Sequence, residues 1–159
     1  MSDNALWDFS LALYGRPGVA PACLALQDEG GADVNLVLYL LWCAATHRPL
    51  DAAAIEAADR RIAPWRATIV EPLRAVRRAL KERLFAEFGA ETYRGRIKTV
   101  ELEAERLVQD VLFRHAPAPG APRDRAAAAA DHLGLYGRHL GRPLTEEALK
   151  VLLGALAAA

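Results

Sequence analysis

Apolar residues recur along this chain at intervals of three and four, which is the spacing of an amphipathic α-helix. Alanine and leucine are frequent, β-branched residues are sparse, and no stretch alternates apolar and polar residues over the length of a strand. The pattern therefore predicts an all-α fold, a single-domain bundle of about seven helices.

One segment is apolar on every side. Eleven of the twelve residues from Val34 to Ala45 are apolar, and Asn35 is the exception. A helix of that kind is normally the buried centre of a domain. We therefore expect the other helices to pack around an apolar central helix at residues 33–46, with Asp33 as its N-cap. Asn4 and Asp51 are the corresponding cap candidates for two other helices.

Two longer helices are predicted in the middle of the chain, at about 65–88 and 91–115. Pro72 is expected to kink or restart the first, whose apolar face consists of Ile69, Leu73, Val76, Leu80 and Leu84. The second has the 3,4 repeat of a packing seam, at Tyr93, Ile97, Val100, Ala104, Leu107 and Val111. A short loop between two such helices predicts a long antiparallel helical hairpin.

The length of 159 residues is typical of one domain. The expected organisation is a single helical domain over 1–159, with a core at 1–115. A proline-rich connector follows at 116–124, and the C-terminal helices of 125–159 are expected to pack on the core because they are too short to fold alone.

Cysteine content and the N-terminus bear on the compartment. Cys23 and Cys43 are the only cysteines, and both stand in apolar surroundings that favour buried, reduced thiols. The first ten residues carry acids where a signal peptide needs bases, and no apolar run reaches the roughly 18 residues of a membrane span. These features predict a cytoplasmic protein without a membrane span.

Charge is zero overall but unevenly distributed. Residues 1–59 hold eight acids and two bases, whereas residues 60–83 hold eight bases and two acids. Within the basic segment, four side chains fall within an arc of about 100° beside the apolar face: Arg74, Arg77, Arg78 and Lys81. This basic stripe is either a docking surface for an acidic protein or a phosphate-bearing ligand, or a set of charges answered by the acidic N-terminal segment.

A second candidate site lies where the first three helices should meet. It would combine aromatic rings with amides, at Trp7, Gln27, Asn35, Tyr39 and Trp42. A buried Asn35 must find hydrogen-bond partners, and Gln27 and Asp8 are the candidates. The same residues could instead form a filled core with one polar network.

Sequence motifs for catalysis are missing. The chain has no glycine-rich phosphate loop, no paired-cysteine metal spacing and no nucleophile elbow, and Ser2 and Ser10 are its only serines. We therefore expect no catalytic residues, no metal and no cofactor, although an atypical enzyme remains an alternative.

Two segments carry a family resemblance: WDFSLALYGRPGVAPACLALQDEGGADVNLVLYLLW at 7–42, and PWRATIVEPLRAVRRALK at 64–81. Together they resemble a family of short bacterial proteins known only as a domain of unknown function. The resemblance implies a bacterial, cytoplasmic, helical protein, and it brings no activity, cofactor or catalytic residue with it.

Two functional hypotheses follow. The first is a non-enzymatic helical adaptor or regulator that binds a macromolecular partner through the basic stripe. The alternative is a small-molecule binding protein or atypical enzyme with a pocket between the first three helices. Leu102 and Phe113 lie on the far side of the second long helix, and covering them requires a tail helix or another subunit, so a homo-oligomer is also possible.

Overall fold

Polar side chains cap three helices where the sequence predicts them. In the computed structural model, which describes residues 3–158, Asn4, Asp33 and Asp51 each accept a hydrogen bond from a backbone amide of the first helical turn. These bonds satisfy amides that a helix N-terminus otherwise leaves without a partner. The caps thus fix where α1, α3 and α4 begin.

Helices form all the regular structure of residues 3–158, which confirms the all-α prediction. They are α1 (Ala5–Tyr14), α2 (Val19–Gly30), α3 (Val34–Ala45), α4 (Ala52–Trp65), a π-helical segment (Arg66–Val70), α5 (Glu71–Ala79), α6 (Glu91–Arg114), α7 (Arg125–His139) and α8 (Glu146–Ala157). No helix in this part of the chain is long and apolar enough to cross a membrane.

Helix α3 is the centre of the bundle, as its composition predicts. Every residue from Asn35 to Ala44 is buried. Helices α1, α2, α6 and α7 pack around it, and α8 packs on α2 and α7. Leu133 and Leu152 from the last two helices belong to the same hydrophobic core. Between α6 and α7, the proline-rich connector is pinned to the end of α3, where the Gly120 amide donates to the His47 carbonyl at 2.7 Å.

The first helix of the predicted hairpin differs from the expected 65–88. Helix α4 continues through Pro64 into the π-helical segment, and α5 follows directly, with no loop between these elements. Pro72 has no N–H to give to the carbonyl of Thr68, so the α-helical hydrogen-bond pattern is interrupted there. The π-helical segment provides a wider turn before Pro72, in which the Glu71 amide donates to the Arg66 carbonyl five residues back.

Helix α5 ends at Ala79, nine residues earlier than predicted. One reason lies in the partner helix, because Arg94 Nε donates to the Arg77 carbonyl at 3.3 Å. That carbonyl would otherwise accept from residue 81 in a longer helix. Residues 80–90 therefore form an irregular loop, and the hairpin of α5 and α6 is shorter than the sequence pattern indicates.

The buried face of α6 is also rotated relative to the predicted seam. The residues that turn inward are Glu101, Ala104, Val108, Gln109 and Leu112. Tyr93, Val100 and Leu107 of the predicted seam are exposed. Glu101 and Gln109 find hydrogen-bonding partners inside the bundle, on α5 and α3 respectively. Polar pairing thus sets the orientation of α6, which periodicity of apolar residues alone does not reveal.

Candidate functional site

A cleft of about 410 Å³ opens between α1, α2, α3, α5 and α6. It brings together residues from both sites that the sequence suggests. From the predicted aromatic and amide pocket come Trp7, Gln27 and Asn35, and from the basic stripe come Arg74, Arg77 and Arg78. The structure therefore joins the two predicted sites at one place, which we call the cleft.

Three predicted site residues lie elsewhere. Tyr39 and Trp42 stand one and two turns farther along α3 than Asn35, at the level where α6 ends. Trp42 packs there against Phe113, with ring centres 5.6 Å apart, and the Arg48 guanidinium lies 4.6 Å from its ring centre. Lys81 follows the end of α5 and does not line the cleft.

The inner wall of the cleft is polar. Gln109 Nε2 donates to Asn35 Oδ1 at 3.0 Å, so the partner of Asn35 is Gln109 rather than the suggested Gln27 or Asp8. Gln109 Oε1 and the Ser10 hydroxyl have no hydrogen-bond partner within residues 3–158, although both atoms are buried. Such groups are uncommon because leaving one unpaired costs about 1–3 kcal/mol.

Polarity is concentrated at this place in the core. Residues 3–158 contain six buried polar or charged side chains. Four of the six line the cleft: Ser10, Asn35, Glu101 and Gln109. Because a core without a ligand favours apolar side chains, this concentration marks the cleft as the chemically distinctive part of the bundle.

The outer wall of the cleft is built from ion pairs between α5 and α6. Arg77 contacts Glu101 through both Nε and Nη2. Arg74 Nη2 lies 2.9 Å from Glu105 Oε1, and Arg74 Nε lies 3.3 Å from Glu101 Oε1. Burial raises the pKa of Glu105, and the nearby Arg74 offsets this only in part. The hydrogen bond that Arg77 donates to Glu101 is the main reason why the pKa of Arg77 is raised.

The rim of the cleft carries an excess of positive charge. Arg78 Nη2 lies 3.2 Å from Asp28 Oδ1, and both side chains are about half exposed, so water screens this pair. Four bases line the cleft, including Lys98, against the two carboxylates of Glu101 and Glu105. Lys98 has no ion pair within residues 3–158, and it faces the cleft as an uncompensated charge.

A smaller polar pocket of about 250 Å³ adjoins the cleft and shares Gln27, Val34 and Arg74 with it. Arg66 bridges two carboxylates there, at 3.1 Å from Asp33 and 2.7 Å from Asp59.

Asp59 in this pocket also accepts from His139 Nε2 at 2.8 Å. Burial alone would raise the pKa of Asp59, but the bonds from His139 and Arg66 hold it below its usual value. Carboxylates of the acidic N-terminal segment thus form ion pairs with Arg66 and Arg78. Carboxylates of α6 form ion pairs with Arg74 and Arg77.

Other groups with reactive side chains do not form a site. Burial raises the pKa of the Cys23 and Cys43 thiols to about 12, which keeps them protonated. Burial lowers the pKa of His132, whose Nδ1 lies 3.1 Å from the Leu40 carbonyl. Within residues 3–158, no group of three or more His, Cys, Asp or Glu side chains is arranged to hold a metal ion.

Sequence reasoning missed the acidic and amide half of the cleft. Glu101, Glu105 and Gln109 are spaced by four residues, so they share one face of α6. Arg74 and Arg77 are three apart on the antiparallel helix. The sequence alone could therefore have predicted ion pairs between the acidic face of α6 and the basic face of α5. Ser10 also carried a signal, because the residues three and four positions away on either side are Leu6, Trp7, Leu13 and Tyr14, which place it on the apolar face of α1.

The family that the sequence resembles is confirmed by comparison with known families. The model of a family described as "Protein of unknown function (DUF2390)" matches residues 5–112. This match covers more than half of the chain, and the chain belongs to that family. All the residues that line the cleft lie within the matched region. No curated protein and no solved structure matches the chain.

Proposed function

Because membership of the DUF2390 family brings no activity with it, we propose a function from the cleft itself: this protein binds a small organic molecule between α1, α2, α3, α5 and α6. The observation that carries the proposal is the pair of buried, unpartnered polar atoms at Ser10 and Gln109. A ligand that bonds to both atoms would remove their desolvation cost, which favours the bound state.

The lining of the cleft favours a particular ligand chemistry. Gln109 Oε1 accepts hydrogen bonds and cannot donate them, so the ligand presents an N–H or O–H group to it. The excess of bases over acids favours an anionic group, and Lys98 is the cation without an ion pair. The proposed ligand class is therefore a small organic anion, such as a carboxylate, that also carries a hydrogen-bond donor.

The rest of the cleft surface suits an apolar ligand body. Trp7 and Tyr14 offer ring surfaces, and three leucines stand at its edges: Leu11, Leu24 and Leu102. These leucines are about half exposed. A bound apolar group would cover them, and burying such surface contributes roughly 25 cal/mol per Å².

Ligand-detected NMR with a panel of small aromatic carboxylates and their neutral amides tests this proposal. We expect the carboxylates to bind more tightly than the matching amides. Gln109→Met and Lys98→Gln should each weaken the carboxylates by about threefold to tenfold, as the loss of one hydrogen bond or charge contact implies. Arg125→Gln, an exposed change on α7, is the matched control and should have no effect. Equal binding of acids and amides, or no effect of Gln109→Met, would contradict the proposal.

A second candidate function is the adaptor role predicted from the basic stripe. It is favoured by Arg78, which is about half exposed, and by Lys81, which forms no ion pair within residues 3–158. It ranks second because Arg74 and Arg77 are already paired with Glu101 and Glu105. If it holds, Arg78→Glu with Lys81→Glu abolishes capture of an acidic protein partner and leaves the circular dichroism spectrum unchanged.

We further propose a cytoplasmic location. Its support is that Cys23 and Cys43 are both free, buried thiols, which is the usual state of cysteines in a reducing compartment. Fractionation of the native host, followed by immunoblotting, checks this proposal.

A further inference from the structure

The far end of the α5–α6 hairpin projects beyond the hydrophobic core. Helix α5 contains no buried residue, and none of residues 91–100 of α6 is buried either. Apolar side chains nevertheless stand at regular intervals among the charged ones at this end, at Tyr93, Ile97 and Val100. The loop between the helices adds three exposed hydrophobic residues, Leu84, Phe85 and Phe88. A projection of this composition is unusual on a monomer, where large apolar patches normally mark an interface.

A regular stripe of apolar residues runs along the exposed side of α6. Tyr93, Val100 and Leu107 are spaced by seven residues, and they are 56%, 46% and 51% exposed. Ile97, which is partly buried, lies between Tyr93 and Val100 in the 3,4 repeat, whereas Ala104, the next position of the repeat, is buried against the bundle. We call Tyr93, Ile97, Val100 and Leu107 the α6 stripe. Such a repeat is the pattern by which two helices pack along a shared seam, and it lies on the flank of α6 away from the cleft.

Neighbouring structure extends the apolar surface beside the stripe. The Trp65 indole N–H donates to the Ala104 carbonyl at 3.1 Å, which holds this ring against the stripe. Trp65, the last residue of α4, is also exposed. Its ring therefore widens the apolar surface beyond a single row of side chains.

The charges that flank the stripe are self-complementary. Arg96 and Glu103 lie seven residues apart on the same flank, and neither forms an ion pair within residues 3–158. The N-terminal part of α6 is basic around Arg96, and the part that follows is acidic around Glu103. Two parallel copies would bring like charges together, whereas two antiparallel copies bring opposite charges together.

We propose that the α6 stripe is the interface of a homodimer, in which α6 of a second copy packs against it in antiparallel orientation. The seam then places Ile97 beside Val100 of the second copy, with the two-fold axis between them. In this register each Arg96 lies about two residues, roughly 3 Å along the axis, from the level of the Glu103 of the other copy, which its long side chain can span. Leu107 lies at the level of the 80–90 loop of the other copy, so it helps to bury the exposed Phe85 and Phe88 of that loop. One patch serves both copies, as a two-fold interface requires.

Sedimentation velocity and light scattering of the full chain test the dimer. We expect a mass of twice 17.3 kDa at about 50 μM. Val100→Glu with Leu107→Glu should convert it to a monomer, and because both side chains are exposed, helical content should not change. Arg125→Glu on α7 is the control and should leave the dimer intact. A monomeric wild-type chain, or a double variant that stays dimeric, would overturn the proposal.

Charge exchange tests the orientation. Arg96→Glu alone places two acids opposite each other and should weaken the dimer at least tenfold. Adding Glu103→Arg to the same chain restores opposite charges across the interface, so the dissociation constant should return to within about threefold of the wild-type value. Failure of the second change to restore the dimer would refute the antiparallel register.

Discussion

Removing the hydroxyl of Ser10 should make the protein more stable. Ser10 lies inside α1, is 3% exposed, and its hydroxyl has no hydrogen-bond partner within residues 3–158, not even a carbonyl of its own helix. Ser10→Ala removes this group and leaves the backbone of the helix unchanged. In an ordinary core serine, the same change breaks a hydrogen bond and lowers stability.

The expected magnitude follows from three contributions. Relief of an unpaired, buried hydroxyl is worth about 1–3 kcal/mol, and the higher helix propensity of alanine adds up to about 0.5 kcal/mol. The void left by one oxygen atom costs up to about 1 kcal/mol. These contributions combine to a rise in the free energy of unfolding of roughly 0–3.5 kcal/mol, and a central value of about 1.5 kcal/mol raises Tm by about 3–6 °C for a chain of this size.

Urea unfolding followed by circular dichroism measures this change. Ala12→Ser, at an exposed position of the same helix, is the matched control, because it reports the difference in helix propensity alone. We also expect Ser10→Ala to weaken binding of the carboxylate panel, so that stability and binding change in opposite directions. Loss of more than about 0.5 kcal/mol in the variant would show that the hydroxyl is already paired, and would refute the reasoning.

Three further predictions concern the ion pairs, a buried histidine and a tyrosine. Glu101→Ala should lower the free energy of unfolding by about 2–4 kcal/mol in urea titrations, because it leaves Arg74 and Arg77, only 18% and 20% exposed, without their shared carboxylate. Burial lowers the pKa of His132 below 6.5, so the unfolded chain takes up its proton first. Stability should be fully present above about pH 6.5 and fall below it by at most about 1.4 kcal/mol per pH unit, and His132→Gln should flatten that slope in pH-dependent melting curves. Tyr136→Phe should cost about 1–2 kcal/mol, measured in the same way as Glu101→Ala, because the Asp33 amide donates to the Tyr136 hydroxyl at 2.9 Å and would lose that acceptor.

The parts of the fold that could be predicted are those that local physics determines. A cap such as Asp33 needs only its own side chain and the next turn of backbone, so the sequence is sufficient to place it. The same holds for α3, because a segment that is apolar on every side has to be buried wherever the other helices lie. The start of α5 was also readable, since Pro72 has no N–H for the carbonyl of Thr68 and fits the first turn of a helix.

The rotation of α6 could not be predicted, because it depends on long-range partners. Its apolar repeat is regular, and by itself it predicts burial of Val100 and Leu107. The fold instead buries Glu101 and Gln109, whose partners lie on α5 and α3. Charged and amide pairs of this kind are invisible to periodicity, because each half looks like a residue for the surface. For the same reason the prediction separated the basic stripe from the amide pocket, although they share one cleft.

The two sides of the α5–α6 hairpin differ in chemistry, and this difference affects how a ligand could reach the cleft. Its inner side faces the bundle through Arg74, Arg77, Glu101 and Glu105, while the α6 stripe faces outward. Because α5 buries no residue, ion pairs and partly buried apolar contacts hold this wall of the cleft, rather than a fully packed core. Elements of that kind open locally at a lower free energy than a core helix such as α3. Displacement of α5 would therefore widen the cleft for the proposed ligand without any change in the packing of α3. A second copy packed on the outer side, as we propose, would restrict that displacement, so dimerisation and ligand entry would act on the same pair of helices from opposite sides.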